Sequence, residues 1–318
     1  MSWIKYIVIL IIVSMFSITT AYFTDLAANK FLGLGQPVVY DAHPLWGYSP
    51  RENRKYARFN GDTVTINEVG TRSINPWNAN GNNIVFIGDS ITYGGSYIND
   101  DQTFASLSCI KLSNWTCHNA GVNAYGILNM VARSRYDTRI SSAPIRVFTF
   151  ITEDFDRGLQ DANTAHFVLR EPPQFLSSLW EILNFVAAKI TPKNWFGKSS
   201  DIQDQKRLED EVTLNRQFAL DIMMSELRRL ENQGLDFLLV YSPNIIEIRN
   251  KEMIKNNKIL IKLQKEYPNR YLNLIDAVGD NYLRGDDLIF YDQAHYEQEG
   301  HRLISNYLFP RLRELTIK

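Results

Sequence analysis

The sequence predicts a three-layer α/β/α sandwich on a five-stranded, mainly parallel sheet, preceded by an N-terminal membrane segment. Three observations carry that prediction. From Asn83 onward, short apolar runs alternate with helical stretches, which is the pattern of βαβ units. Within each run the apolar residues are largely consecutive, as strands covered on both faces require. Ahead of them, residues 6–24 are 19 uncharged positions in a row, about 28 Å as a helix and close to the thickness of a bilayer core.

Composition sets the bounds. The 318 residues are 45% hydrophobic and 22% charged, with 34 Lys and Arg against 35 Asp and Glu, a net charge of −1. That is the make-up of one large globular domain or two small ones, and it excludes a disordered, collagen-like or coiled-coil chain. A balance so near zero also argues against a surface made to neutralise phosphates, so nucleic acid is not an expected partner. Two cysteines, Cys109 and Cys117, are too few for a disulfide scaffold and lack the spacing of a structural zinc site.

Taken in order, the first element is the address. Lys5 precedes the uncharged segment and Asp25 follows it, which favours an orientation with everything from Asp25 onward outside the cytoplasm. Residues 1–24 are therefore read as targeting, either a signal anchor that stays or a signal peptide cleaved near Thr19 and Ala21. An exported chain meets an oxidising compartment, which permits a bridge between Cys109 and Cys117; two small buried thiols are the alternative. Residues 25–82 are polar and aromatic, with turn formers at Asn60-Gly61-Asp62, Asn75-Pro76 and Asn80-Gly81 and one alternating run, Thr63-Val64-Thr65-Ile66. They read as a lead-in of short strands and loops.

Residues 83–318 form the main domain. Its first strand is Ile84-Val85-Phe86-Ile87, followed by a helix over 104–112. The second strand is short, at 116–118; the third runs over 145–151, the fourth over 235–241 and the fifth over 271–274. A long amphipathic helix over 208–233, charged on its outer face, leads into the fourth. Between the third strand and that helix lies an insertion at 159–205. It is apolar and aromatic for a connection, with Phe167, Phe175, Trp180, Trp195 and Phe196.

Open parallel sheets bind ligands beyond the carboxyl ends of their strands, so the residues after each run are the ones to inspect. Gly88-Asp89-Ser90 follows the first strand. A serine there begins a helix with its hydroxyl and its own N–H facing the same space, which suits a nucleophile; the competing reading is an ordinary helix cap. A serine becomes nucleophilic only when a base takes its proton, and the base needs a third group to hold it. Asp292 stands three residues before His295, a spacing at which a carboxylate can reach Nδ1 and leave Nε2 for the serine. His301 is the local competitor and reads as a capping or surface residue at the start of the last helix.

These residues carry a resemblance. Ile87-Gly88-Asp89-Ser90-Ile91-Thr92, Asn119-Ala120-Gly121-Val122-Asn123-Ala124-Tyr125-Gly126 and Asp292-Gln293-Ala294-His295, followed by Gly300-His301, resemble blocks of the GDSL or SGNH hydrolase superfamily. The resemblance covers about 83–318 and implies a flavodoxin-like fold. Leu45-Trp46-Gly47-Tyr48-Ser49-Pro50 and Asn67-Glu68-Val69-Gly70-Thr71-Arg72 are similar to the lead-in of bacterial exported members, many associated with envelope polysaccharides. It implies that Ser90 attacks, His295 moves the proton and Asp292 orients His295. Gly121 would give the oxyanion N–H that joins that of Ser90, and Asp89 would support the nucleophile turn.

One block departs from the family pattern. Its G-x-N-D segment falls on Ile151-Thr152-Glu153-Asp154, so Glu153 stands where an oxyanion asparagine is expected. An ionised carboxylate there would repel the developing charge. Either Glu153 is protonated, or Asn123 or another donor replaces the amide, or the site is inactive; the second is the preferred reading. A structural role for Glu153 and Asp154, pairing with Arg157, competes with all three.

The resemblance implies a serine esterase or O-acyltransferase acting on an O-acyl group, an acetyl of an envelope or extracellular glycan, with no metal or organic cofactor. The protein would be anchored in the membrane facing the periplasm or cell exterior, or secreted. The alternatives are a lipase or thioesterase whose acyl chain is covered by 159–205, and a catalytically inactive glycan-binding or assembly factor.

Overall fold

The chain opens with a helix far longer than its uncharged stretch. In the computed structural model, which describes residues 2–58, 61–79, 81–162, 171–190, 202–285 and 288–317, α1 runs over Ser2–Leu32. Its apolar first half is exposed, and among the described residues it is the one helix long and apolar enough to cross a membrane. The helix passes the boundary at residue 24 because the domain receives its end: Asp25 and Ala28 are buried, and the Asp25 carboxylate accepts the Leu179 N–H at 2.9 Å.

The lead-in forms two antiparallel hairpins, β1 (Tyr40–His43) with β2 (Gly47–Pro50), and β3 (Arg54–Ala57) with β4 (Thr63–Ile66). Beyond β4, Arg72 bridges in antiparallel fashion to Ile66 on one side and to Asn119 on the other. The lead-in thereby covers what would otherwise be the open edge of the main sheet.

The main domain then follows: β5 (Asn83–Gly88), α2 (Ser90–Tyr93), α3 (Phe104–Cys109), β6 (Thr116–Gly121), α4 (Ile127–Tyr136), α5 (Thr138–Ser141) and β7 (Ile145–Phe150). After α6 (Ser177–Ile190) come α7 (Ile202–Asn232), β8 (Asp236–Tyr241), α8 (Ile245–Arg249), α9 (Lys251–Lys255), α10 (Lys258–Glu266) and β9 (Tyr271–Asn273). A π-helical turn (Ile275–Gly279), α11 (Asp280–Leu283) and α12 (Gln298–Thr316) complete it. The sheet order is β6-β5-β7-β8-β9, parallel throughout.

Strand residues alternate between two cores, as the two-residue period of a strand dictates. Val85, Ile87, Phe148, Phe150, Leu239 and Tyr241 face the layer of α4, α7 and α10, while Ile84, Phe86, Val147 and Val240 face α3, α12 and the π turn. On α7 the buried set Leu220, Met223, Met224, Leu227 and Leu230 keeps a three-to-four residue spacing. A disulfide joins Cys109 on α3 to Cys117 on β6, with Cα atoms 5.7 Å apart.

Of the insertion, α6 packs against α1, while Phe167, Trp195 and Phe196 lie outside the described residues. Glu181 of α6 is the keystone: it pairs with Arg58 at 2.9 Å and accepts the Gly35 N–H at 2.6 Å.

Candidate active site

The sheet order doubles back around β5, so the carboxyl ends of β5, β6 and β7 surround a topological switch point. Gly88 ends β5. A Cβ there would meet Thr92 Oγ1 at 2.0 Å and the Thr149 carbonyl at 2.6 Å, so only glycine lets the strand turn directly into α2. Asp89 caps the turn, its carboxylate accepting the Ile91 N–H at 2.8 Å. Ser90 follows as the first residue of α2.

The second half comes from the loop before α12. Asp292 Oδ1 accepts the N–H groups of Ala294 at 2.9 Å and His295 at 2.8 Å, which folds the loop back on itself. Asp292 Oδ2 lies 2.8 Å from His295 Nδ1, and His295 Nε2 lies 2.8 Å from Ser90 Oγ. A carboxylate at Nδ1 requires the proton there, which leaves Nε2 as the acceptor for the serine hydroxyl. Partial burial pushes the Asp292 carboxyl up, but the two backbone N–H groups and the imidazole outweigh it and hold it below the usual range. Around these three, Gly95, Tyr97, Asn123, Ala124, Arg157 and Tyr291 line a cavity of about 410 Å³. A larger cavity of about 690 Å³, between the lead-in and the 171–177 segment, holds none of these residues.

Under the Gly88-Asp89-Ser90 turn lies a buried charge network. Arg157 reaches Asp154 at 2.7 Å, Asp89 at 3.3 Å and the Tyr125 carbonyl at 2.9 Å. Burial raises the Asp89 carboxyl, which the Arg157 charge only partly offsets. Burial and the neighbouring Asp89 raise Asp154 well above the carboxylate range. Two carboxylates on one guanidinium tie the end of β7 to the start of α2.

The other sequence candidates are placed differently. Glu153 is exposed and does not line the cavity. The 3-10 turn after β7 (Thr152–Phe155) instead carries Asp154 inward, to pair with Arg157. Gly121 approaches α2 so closely that a Cβ would lie 2.3 Å from the Tyr93 nitrogen, and its N–H donates to Asn119 Oδ1 at 2.9 Å. It is a packing glycine whose amide already has an acceptor. Asn123 lines the cavity, with Nδ2 donating to the Tyr40 hydroxyl at 3.1 Å.

Four residues were given no role in the sequence reading. Ala124 lines the cavity with φ at 59°, and its N–H makes no hydrogen bond among the described residues. Tyr97 and Tyr291 stack at 4.0 Å between ring centroids, and both line the cavity with Asp292 and His295. Arg72, fully buried, pairs with Asp100 at 2.8 Å and donates to the carbonyls of Tyr93, Gly95 and Ile98, so it holds the loop that carries Gly95 and Tyr97. It belongs to the Asn67–Arg72 stretch singled out above, where a signal existed. His301 is buried, not on the surface: its Nδ1 accepts the Phe104 N–H at 3.1 Å and so caps α3.

No family model matches the chain, and no curated protein matches it. Solved structures do align with it. A member of the lipolytic protein G-D-S-L family from Veillonella parvula is 11% identical, covering 72% of this chain and 96% of its own, with a TM-score of 0.38. The lipase/acylhydrolase from Enterococcus faecalis is 15% identical over 74% of this chain and 95% of its own, TM-score 0.39. A two-domain esterase active on acetylated mannans is 14% identical over 74% of this chain and 50% of its own, TM-score 0.43. At these scores the likeness carries nothing further about this chain.

Proposed function

We propose that the chain is a serine ester hydrolase, with Ser90 as nucleophile, His295 as base and acid, and Asp292 as the group that orients His295. The observation that carries this is the continuous pair of 2.8 Å contacts from Asp292 through His295 to Ser90 Oγ at the mouth of a cavity. Ser90 Oγ attacks the ester carbonyl carbon while its proton passes to His295 Nε2, and the carbonyl electrons collect on oxygen. The N–H groups of Ser90 and Ala124 receive that oxyanion in place of Gly121. Collapse expels the alcohol oxygen, which takes the proton from His295. Water, or a sugar hydroxyl in the transfer variant, then gives its proton to His295 and attacks the acyl carbonyl carbon; the bond to Ser90 Oγ breaks, His295 returns the proton to that oxygen, and the acid or the new ester leaves.

The substrate we infer is a short acyl ester, an acetyl on an envelope or extracellular glycan, with α1 holding the enzyme at the membrane. A cavity of about 410 Å³ has room for a small acyl group and part of one sugar, and the Tyr97–Tyr291 pair offers a flat apolar face beside it. None of the described insertion residues lines it, which takes support from the lipase reading.

The test uses the full chain in mild detergent against p-nitrophenyl esters of increasing length, beside Ser90→Ala and His295→Ala, with fluorophosphonate labelling read by intact mass. Both substitutions should abolish turnover, the rate should fall with acyl length, and the label should map to Ser90. A wild type that neither turns over nor takes the label sinks the hydrolase and leaves the glycan-binding factor.

A further inference from the structure

The oxyanion space is bordered by a turn that its own sequence does not favour. Val122–Tyr125 closes with the Tyr125 N–H on the Val122 carbonyl at 3.2 Å, and Ala124 in its third position has φ 59°. That is a type II turn, which wants glycine or asparagine there, whereas an alanine prefers the type I form. The two forms differ by rotating the Asn123–Ala124 peptide, which carries the Asn123 carbonyl and the Ala124 N–H at opposite ends. Something outside the turn must hold that peptide, and the structure shows what does. The buried Tyr48 hydroxyl, from β2 of the lead-in, donates to the Asn123 carbonyl at 2.6 Å. Tyr48 is itself fixed, since the Tyr125 hydroxyl donates back to its carbonyl and the two rings meet edge to face at 5.4 Å.

We propose that Tyr48 is a positioning residue: its hydroxyl holds the 123–124 peptide so that the Ala124 N–H faces the oxyanion formed at Ser90. The carbonyl end is drawn into the lead-in, so the N–H end points the other way, and Ala124 borders the cavity that contains Ser90. Without the hydroxyl, the turn relaxes toward the type I form and the N–H leaves the cavity. Through Tyr48 the lead-in then positions an oxyanion donor as well as covering the sheet edge. This rests on Ser90 acting as the nucleophile.

The experiment compares full-length wild type, Tyr48→Phe and Tyr40→Phe in mild detergent on p-nitrophenyl acetate, with affinity for a boronic acid that forms a tetrahedral adduct on Ser90. Tyr48→Phe should lose about 10²-fold in kcat, the scale of a displaced oxyanion donor, with KM within about threefold. Boronate affinity should fall by a similar factor. Tyr40→Phe, which removes the hydroxyl bonded to the Asn123 side chain and keeps the Tyr48 bond to the Asn123 carbonyl, should match wild type. An active wild type with an equally active Tyr48→Phe overturns the inference alone, as does an equal loss in both variants. A wild type without turnover overturns the nucleophile reading and this role with it. Should Tyr48→Phe fail to fold, the Ala124 amide proton of wild type decides by NMR: it moves downfield when the boronate adduct forms, and an unmoved signal overturns the proposal.

Discussion

Ala124 and Glu153 show how far single residues can be read from a sequence. Ser90, Asp292 and His295 were legible because strand-end placement and a three-residue spacing constrain side chains of distinctive chemistry. Ala124 was not, because the contribution proposed for it is a backbone N–H held at a positive φ that an alanine side chain does not announce. Glu153 shows the converse: the resemblance sets it where an asparagine is expected, but the 3-10 turn after β7 decides which of two adjacent acids faces inward, and that is Asp154. The geometry separates the readings of Glu153. It is exposed and outside the cavity lining, so in the proposed mechanism it takes no part in holding the oxyanion. Glu153→Asn should leave kcat/KM within about threefold of wild type. An improvement nearer 10²-fold, the worth of a restored oxyanion donor, would return Glu153 to the site.

At the scale of elements, α1 is where sequence and structure part most. Hydropathy marks the stretch that is free of charge, but not where a helix ends once a partner satisfies its first acid. Asp25 is buried because the first turn of α6 presents the Leu179 N–H to it, a contact across more than 150 residues that no local pattern reports. The strands were legible to within a few residues because burial on both faces makes them continuously apolar. The second was the least visible, since β6 carries Thr116, His118 and Asn119 in place of apolar residues. Contact between α1, the lead-in and α6 converges on Glu181, which is about as buried as its partner Arg58, each with 9% of its side chain exposed. Glu181→Ala removes the carboxylate from both Arg58 and the Gly35 N–H. Breaking this buried ion pair by removing one partner should cost about 3–5 kcal/mol. Urea unfolding followed by circular dichroism checks this, and a loss under about 1 kcal/mol would mean that Arg58 is solvated or held by other partners.

Over the whole molecule, the lead-in, sheet and last helix are tied together by polar groups that must stay neutral or paired. His118 on β6 faces Asn67 of the lead-in through Nδ1 and Asn83 of β5 through Nε2, at 3.4 and 3.1 Å. His301 on α12 accepts the Phe104 N–H through Nδ1. In both, a proton on Nδ1 would set one donor against another. Burial pushes His118 down to about 4, and burial with the Arg72 charge pushes His301 down to about 3. The consequence for stability has a definite sign. Above pH 6.5 both rings are neutral folded and unfolded, and pH has no hold on them. Below it, the unfolded chain takes up protons that the folded one refuses, so stability falls by about 1.4 kcal/mol per pH unit for each ring until its folded value is reached. Asp89 and Asp154, with raised values, act in the opposite sense, so the raw curve mixes the two. Comparison with His301→Gln removes that mixture, because the carboxylates are common to both proteins. Between pH 6.5 and 4.5, wild-type unfolding free energy should fall more steeply than that of His301→Gln, by the uptake of one proton. Parallel curves would mean that His301 is protonated in the folded protein, and that the joint between α12 and α3 is not the acid-sensitive one.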